Sequence, residues 1–167
     1  MTDLIYYSAD HGADAVGLAC SVYAPVVKSA RELVPVPVVS YYGPVMAEAA
    51  RRGRRIAIIA SLPATMRDAE YYLHEAAQEA RVEVELVRCM VEELFQVIRT
   101  KGEQGLRDLL AKEVTRLASG VDAVLLAQFS MAPAVAYLQS VSPVPVLSAP
   151  HSSAIHLKKL VSPQTGA

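Results

Sequence analysis

The stretch Gly12-Ala13-Asp14-Ala15-Val16-Gly17-Leu18-Ala19-Cys20 reads almost like Gly120-Val121-Asp122-Ala123-Val124-Leu125-Leu126-Ala127-Gln128, and this pairing decides the fold. The likeness runs on through Ala24-Pro25 against Ala132-Pro133. It ends with Pro35-Val36-Pro37-Val38-Val39-Ser40 against Pro143-Val144-Pro145-Val146-Leu147-Ser148. About half of the paired residues are identical, more than two unrelated segments share by chance. Two similar lobes are expected, with one asymmetry: where the first copy carries the reactive Cys20, the second carries the unreactive Gln128.

Outward from this pair, short apolar runs alternate with longer amphipathic stretches. The runs Asp14–Ala19, Val36–Ser40, Arg55–Ala60, Val82–Val87, Asp122–Ala127 and Val144–Ser148 are rich in Val, Ile and Leu, as strands covered on both faces are. Helices are expected over Ala24–Leu33, Pro44–Arg52, Thr65–Ala80, Glu92–Ala118, Ala132–Gln139 and Ser152–Leu160, with Gly102 and Gly105 breaking the longest in two. The fold class is therefore α/β: parallel sheets with helices on both faces, in two pseudo-symmetric lobes. Residues 1–53 form the first lobe, 54–150 the second, and 151–167 a C-terminal helix and tail returning to the first. The first lobe matches only the second half of the other. By that symmetry two strands and a helix, roughly fifty residues, are expected before Met1.

The 167-residue chain can bury a substantial core. A formal charge of −1 argues against nucleic acid or an anionic membrane as the main partner. The run Arg51-Arg52-Gly53-Arg54-Arg55 sits where a helix should end, and cations there complement the helix dipole. Two cysteines far apart suggest free thiols in a reducing cytoplasm, and no apolar run approaches membrane-spanning length.

In parallel sheets, ligands bind beyond the carboxyl ends of the strands. Cys20 and Gln128 both fall there, each just before a helix, and a thiol in that position faces the positive end of the helix dipole. Ser61 and Thr65 lie in the turn Ala60-Ser61-Leu62-Pro63-Ala64-Thr65, where hydroxyls and helix-end N–H groups suit a small anion. They serve equally well as turn and N-cap residues. Phe129, Ser130 and His151 occupy corresponding strand ends in the second lobe, and His151 could equally just open a helix. Gln128 could satisfy local backbone groups or touch a substrate. Cys89 reads as a structural thiol. The histidines show no metal-ligand spacing and no strand is followed by a Gly-rich phosphate loop, so neither a metal nor another cofactor is expected. Each adjacent tyrosine pair, Tyr41-Tyr42 and Tyr71-Tyr72, is expected to put one ring inside and one outside.

These residues resemble the aspartate/glutamate/hydantoin racemase family. The resemblance rests on the Gly-Ala-Asp-x-Val-x-x-Ala-Cys strand, the Gly53-Arg54-Arg55-Ile56 lead into the next strand, Ala-Ser-Leu-Pro-Ala-Thr, the strand Asp122–Ala127 and the closing Val-Pro-Val-Leu-Ser-x-Pro. It implies a cofactor-independent enzyme acting at the α-carbon of a small amino acid, hydantoin or related carboxylic acid. In the family one thiol from each lobe serves each face of the substrate. Cys20 matches the first of these, while Ala127-Gln128-Phe129-Ser130-Met131 stands where the second belongs. Glutamine neither accepts nor donates a proton near neutral pH. The resemblance thus leaves open single-cysteine decarboxylation of malonate-type acids, or a non-catalytic small-acid-binding member. It casts Cys20 as general acid/base and Ser21, Ser61, Thr65, Gln128, Phe129, Ser130 and His151 as substrate contacts. A homo-oligomer is expected, since an incomplete first lobe would expose apolar sheet surface.

Overall fold

The chain is described by a computed structural model covering residues 1–20 and 23–162. Its elements, in chain order, are α1 (Thr2–Asp10), β1 (Val16–Leu18), α2 (Ala24–Ala30), β2 (Val38–Ser40), α3 (Tyr42–Arg52), β3 (Arg55–Ala60), α4 (Pro63–Ala80), β4 (Glu85–Met90), α5 (Leu94–Ala118), β5 (Ala123–Leu126), a 3-10 turn (Phe129–Ala134), α6 (Val135–Val141), β6 (Val146–Ser148) and α7 (Ala149–Val161). The fold is α/β, as the alternating pattern predicts. β1 and β2 pair in one sheet, and a second runs in the order β4-β3-β5-β6, all neighbours parallel.

The larger sheet is buried on both faces because its central strands are apolar at every position after Arg55. Ile56, Ile58 and Ala60 of β3, with Ala123 and Leu125 of β5, pack among side chains of α3 and α4. Ala57, Ile59, Val124 and Leu126 turn to the opposite face, among α5 and α6. Fully burying a side chain of that size stabilises by about 1.5–3 kcal/mol, so these strands anchor the fold. The smaller sheet has its own core, in which Ile5 of α1 meets Leu18, Val27, Ala30, Val34 and Val38.

Residues 108 positions apart make the same bonds in the two sheets. β1 pairs with β2 as Val16 with Val38 and Leu18 with Ser40, and β5 pairs with β6 as Val124 with Val146 and Leu126 with Ser148. Arg31 Nε donates to the Val38 carbonyl at 2.8 Å, and Gln139 Nε2 donates to the Val146 carbonyl at 3.0 Å. After the strands, Tyr23 N donates to the Cys20 carbonyl and Met131 N to that of Gln128, each at 3.1 Å.

Several expectations are corrected. β4 is Glu85–Met90, not Val82–Val87, because α4 ends on Arg81 in the left-handed conformation (φ 56°, ψ 42°). That cap draws the Val82 N–H to the Ala77 carbonyl at 3.0 Å, so Val82 cannot begin a ladder. Strand bonding starts with Glu85 N on the Arg54 carbonyl at 2.7 Å. α7 starts at Ala149 rather than Ser152, with Pro150 in its first turn, where a missing N–H costs nothing. Ser152 and Ser153 therefore do not cap it. Their hydroxyls lie on its buried face and donate to Glu48 Oε2 (2.9 Å) and the Tyr41 carbonyl (3.0 Å). α5 breaks at Gly102 alone (φ 60°, ψ −151°). Gly105 remains helical, and its missing side chain lets the segments close: a Cβ there would lie 2.3 Å from Lys101 Cβ and 3.1 Å from Val97 Cγ1. Residues 132–134 of the expected sixth helix belong to the 3-10 turn that contains Pro133.

Tyr41 and Tyr42 are both buried, against the expectation of one ring outside. The chain leaves β2 for α3 between them, so strand alternation no longer governs where the rings point. Tyr71 and Tyr72 divide as expected, the first exposed and the second packed on the core.

Candidate functional site

The carboxyl ends of the two sheets meet through the start of α3. Ser40 Oγ accepts the N–H of Tyr42 (3.1 Å) and of Gly43 (3.4 Å), which turns the chain straight from β2 into the helix. Tyr41 N donates to the Leu18 carbonyl at 3.1 Å, tying α3 to the end of β1. From there Tyr42 Oη donates to the Ala127 carbonyl at 3.4 Å, and the Tyr41 ring packs edge-on against Phe129 at 4.9 Å. Two neighbouring tyrosines thus join the strand end that carries Cys20 to the one that carries Gln128.

Cys20 lies two residues beyond β1 and is exposed. Ser21, expected to contact the substrate, lies outside the described residues. Gln128 follows β5 and reaches across to the end of β3. Its Oε1 accepts both the backbone N–H of Ser61 at 2.6 Å and the Ser61 hydroxyl at 2.8 Å. The structure therefore brings Ser61 and Gln128 together, two of the expected contacts 67 residues apart. Ser61 is buried and does not cap α4, whose cap position is Leu62 and makes no side-chain cap bond. Thr65, half-buried, sits in the first turn of α4. Ser130 Oγ is buried and has no hydrogen-bond partner among the described residues. His151 stands exposed at the start of α7, its Nδ1 3.3 Å from Ser148 Oγ.

The other thiol has a different environment. Cys89 lies inside β4 and is buried, and its Sγ donates to Glu113 Oε2 at 3.5 Å. Burial, reinforced by the Glu113 carboxylate, pushes the thiol up to about 11, although Arg116 (Nη2 to Sγ 3.4 Å) opposes the rise. Glu113 itself is held below the usual carboxylate range, chiefly by its bonds to Arg116. Cys89 is a protonated core thiol near neutral pH.

Sequence reasoning missed a structural carboxylate in the Gly120-Val121-Asp122 lead into β5. Asp122 Oδ2 accepts the N–H groups of Arg54 and Arg55, each at 2.7 Å, and so fixes where β3 begins beside β5. A Cβ on Gly53 would come within 2.3 Å of Asp122 Cβ, so glycine there allows the close approach. The signal was present in the repeated Gly-x-Asp, which reads as strand entry rather than chemistry.

A groove of about 640 Å³ runs among α2, α3, α4 and α7. Glu48, Arg51, Glu75 and His156 are among its lining residues, and Cys20, Ser61 and Gln128 are not. Burial acts most strongly on Glu48 and raises its pKa. The bonds from Arg52 and Ser152, with the charges of Arg52 and Arg51, together outweigh it and leave the carboxyl below its ordinary value. No three His, Cys, Asp or Glu residues cluster as metal ligands among the described residues, and no helix there is long and apolar enough to cross a membrane.

The model of the Asp/Glu/Hydantoin racemase family matches residues 1–108. Among solved structures, allantoin racemase from Klebsiella pneumoniae superposes with a TM-score of 0.78 at 22% identity, covering 96% of this chain and 64% of that one. An aspartate racemase homologue from Pyrococcus horikoshii OT3 gives 0.72 at 19% identity, covering 96% and 72%. A Gly74Cys-Cys188Ser variant of arylmalonate decarboxylase gives 0.67 at 20% identity, covering 100% and 74%. The chain thus spans less than two thirds of the allantoin racemase. At these identities the structural likeness establishes the fold alone. No curated protein sequence matches significantly.

Proposed function

Because the chain belongs to the Asp/Glu/hydantoin racemase family, we propose that it acts without a cofactor at the α-carbon of a small amino acid, hydantoin or related carboxylic acid. Cys20 is the general acid/base. Its thiolate takes the α-hydrogen as a proton, the C–H electron pair passes into the adjacent carbonyl, and the proton returns to carbon. The observation that carries this reading is an exposed thiol just past the carboxyl end of β1, within the family match, while the other thiol is buried and protonated. Gln128 and Ser130 orient the substrate, with Phe129 and His151 beside them, and Ser21, Ser61 and Thr65 serve its polar end. The division into lobes at residues 1–53 and 54–150, with 151–167 returning to the first, belongs to the same reading. The identical pairings 108 positions apart support an internal repeat.

A second reading is favoured by Gln128. Its amide is fastened to Ser61 and cannot exchange protons, so a single thiol suits chemistry that needs a proton on one face only. Decarboxylation of a malonate-type acid is such chemistry, and arylmalonate decarboxylase shares the fold. Measuring α-proton exchange in D₂O over a panel of amino acids, hydantoins and malonates tests both. Exchange with loss of chirality supports racemisation; CO₂ release with single-face deuteration supports decarboxylation. Exchange by Cys20→Ala as fast as wild type would overturn the role of Cys20 in both, whereas binding with no exchange on any compound would leave a non-catalytic binding protein.

The reading extends to a cytoplasmic homo-oligomer. Exposed Leu4, Ile155, Leu160 and Val161 on the two terminal helices offer apolar surface for association. A monodisperse monomer in light scattering would refute the oligomer.

A further inference from the structure

We infer that Gln128 acts as an internal ligand of the turn after β3, biasing the site towards neutral carbonyl compounds, such as amides, ureides and hydantoin-like rings, and away from free carboxylates. This rests on the first reading proposed above, with this site as the place of substrate binding; a malonate-type acid, being a free dicarboxylate, is among the compounds it disfavours. A backbone N–H can only donate, so the amide atom 2.6 Å from Ser61 N must be the oxygen, and the orientation of the Gln128 amide is settled by that contact. The Ser61 hydroxyl adds a second donor to the same oxygen at 2.8 Å. Two donors converging on one oxygen are what a carboxylate oxygen would take, and here the protein supplies its own acceptor. Ser61 is only 4% exposed, so water offers these donors little alternative.

The same contact turns Nε2 away from Ser61, and Nε2 makes no hydrogen bond among the described residues. The site therefore presents an amide donor in place of a two-donor cradle. A neutral carbonyl needs one such donor. A carboxylate gains more from converging donors than a neutral acceptor does, so their occupation penalises it more. To reach Ser61 it must first displace Gln128.

The test uses nuclear magnetic resonance of the ¹⁵N-labelled full chain, titrated with sodium acetate and, separately, with hydantoin. In wild type, hydantoin is expected to move the Gln128 side-chain NH₂ pair while acetate leaves the Ser61 amide in place. In Gln128→Ala, acetate should move the Ser61 amide and bind on the order of tenfold or more tightly than to wild type, a change of about 1.4 kcal/mol per decade. Movement of the wild-type Ser61 amide by acetate overturns the inference, as does a Gln128 NH₂ pair indifferent to hydantoin. Both are read on wild type, so they hold even where Gln128→Ala does not fold. Binding is observed here without turnover. A failure of Cys20-dependent deuterium exchange would thus remove the catalytic reading alone.

Discussion

The ends of β1 and β5 follow nearly the same sequence and the same hydrogen bonds, yet their surroundings diverge. β5 lies between β3 and β6 with all four residues buried, whereas among the described residues β1 pairs with β2 alone and exposes Gly17. Beyond β5 the chain delivers an amide locked onto Ser61; beyond β1 it delivers an exposed thiol. The local code sets the pairing, and the neighbours a strand acquires set what its end can do. A third strand placed Ser61 within reach of Gln128. No corresponding strand among the described residues stands beside β1.

The sharpest way to break this comparison is to remove each thiol in turn. A positioned acid or base contributes typically ~10²–10⁴-fold, so Cys20→Ala should lower α-proton exchange by about a hundredfold or more. Cys89→Ala should leave it within about twofold, since its thiol is protonated in the core. Equal losses in steady-state exchange would erase the distinction.

Alkylation sharpens it further. Iodoacetamide at about pH 8 should label Cys20 in the native chain and Cys89 only after unfolding, as peptide mass mapping will read. The Cys89 thiol also imposes a pH dependence. Its folded pKa of about 11 lies above the ordinary thiol value, so the folded state holds the proton longer. Its contribution to stability is complete below about pH 8.5 and is lost as pH rises towards 11. Urea midpoints followed over that range should fall less steeply in Cys89→Ala than in wild type.

The matched aspartates give a smaller contrast. Asp122→Ala removes one acceptor from two backbone donors and should cost about 1–3 kcal/mol. Asp14, in the similar Gly12-Ala13-Asp14, is exposed, and Asp14→Ala should cost less than about 0.5 kcal/mol. Urea denaturation of both variants decides this. Smallest is the contrast expected between Arg31 and Gln139, whose bonds to Val38 and Val146 correspond. Alanine at either should cost about 1 kcal/mol, and thermal melts should show the two alike.

Much of the architecture was legible because it follows from local periodicity. Arg55–Ala60 has the bounds the sequence predicts, since an apolar run entered from Arg54-Arg55 and closed by Ser61-Leu62-Pro63 admits one reading. β4 was misplaced because Val82-Glu83-Val84 alternates like a strand, while the left-handed Arg81 commits the Val82 N–H to the preceding helix. Strand ends marked Cys20, Ser61 and Gln128 as a set, but not that Ser61 and Gln128 bond directly. That contact depends on β3 and β5 lying side by side, which no local pattern encodes. The burial of both Tyr41 and Tyr42 likewise depends on Phe129 and Ala127, far along the chain.

One close approach bears on how the chain reaches this state. A Cβ on Gly17 would sit 3.1 Å from Leu157 Cδ1, so α7 comes close to β1 at that residue. Leu157 lies far beyond Gly17 along the chain, so this contact forms only after α7 has been made. Contacts so distant in sequence slow folding, and the interval leaves an apolar strand open to wrong partners. A chaperone that held β1 until α7 had emerged would therefore protect this part of the chain at its most vulnerable stage.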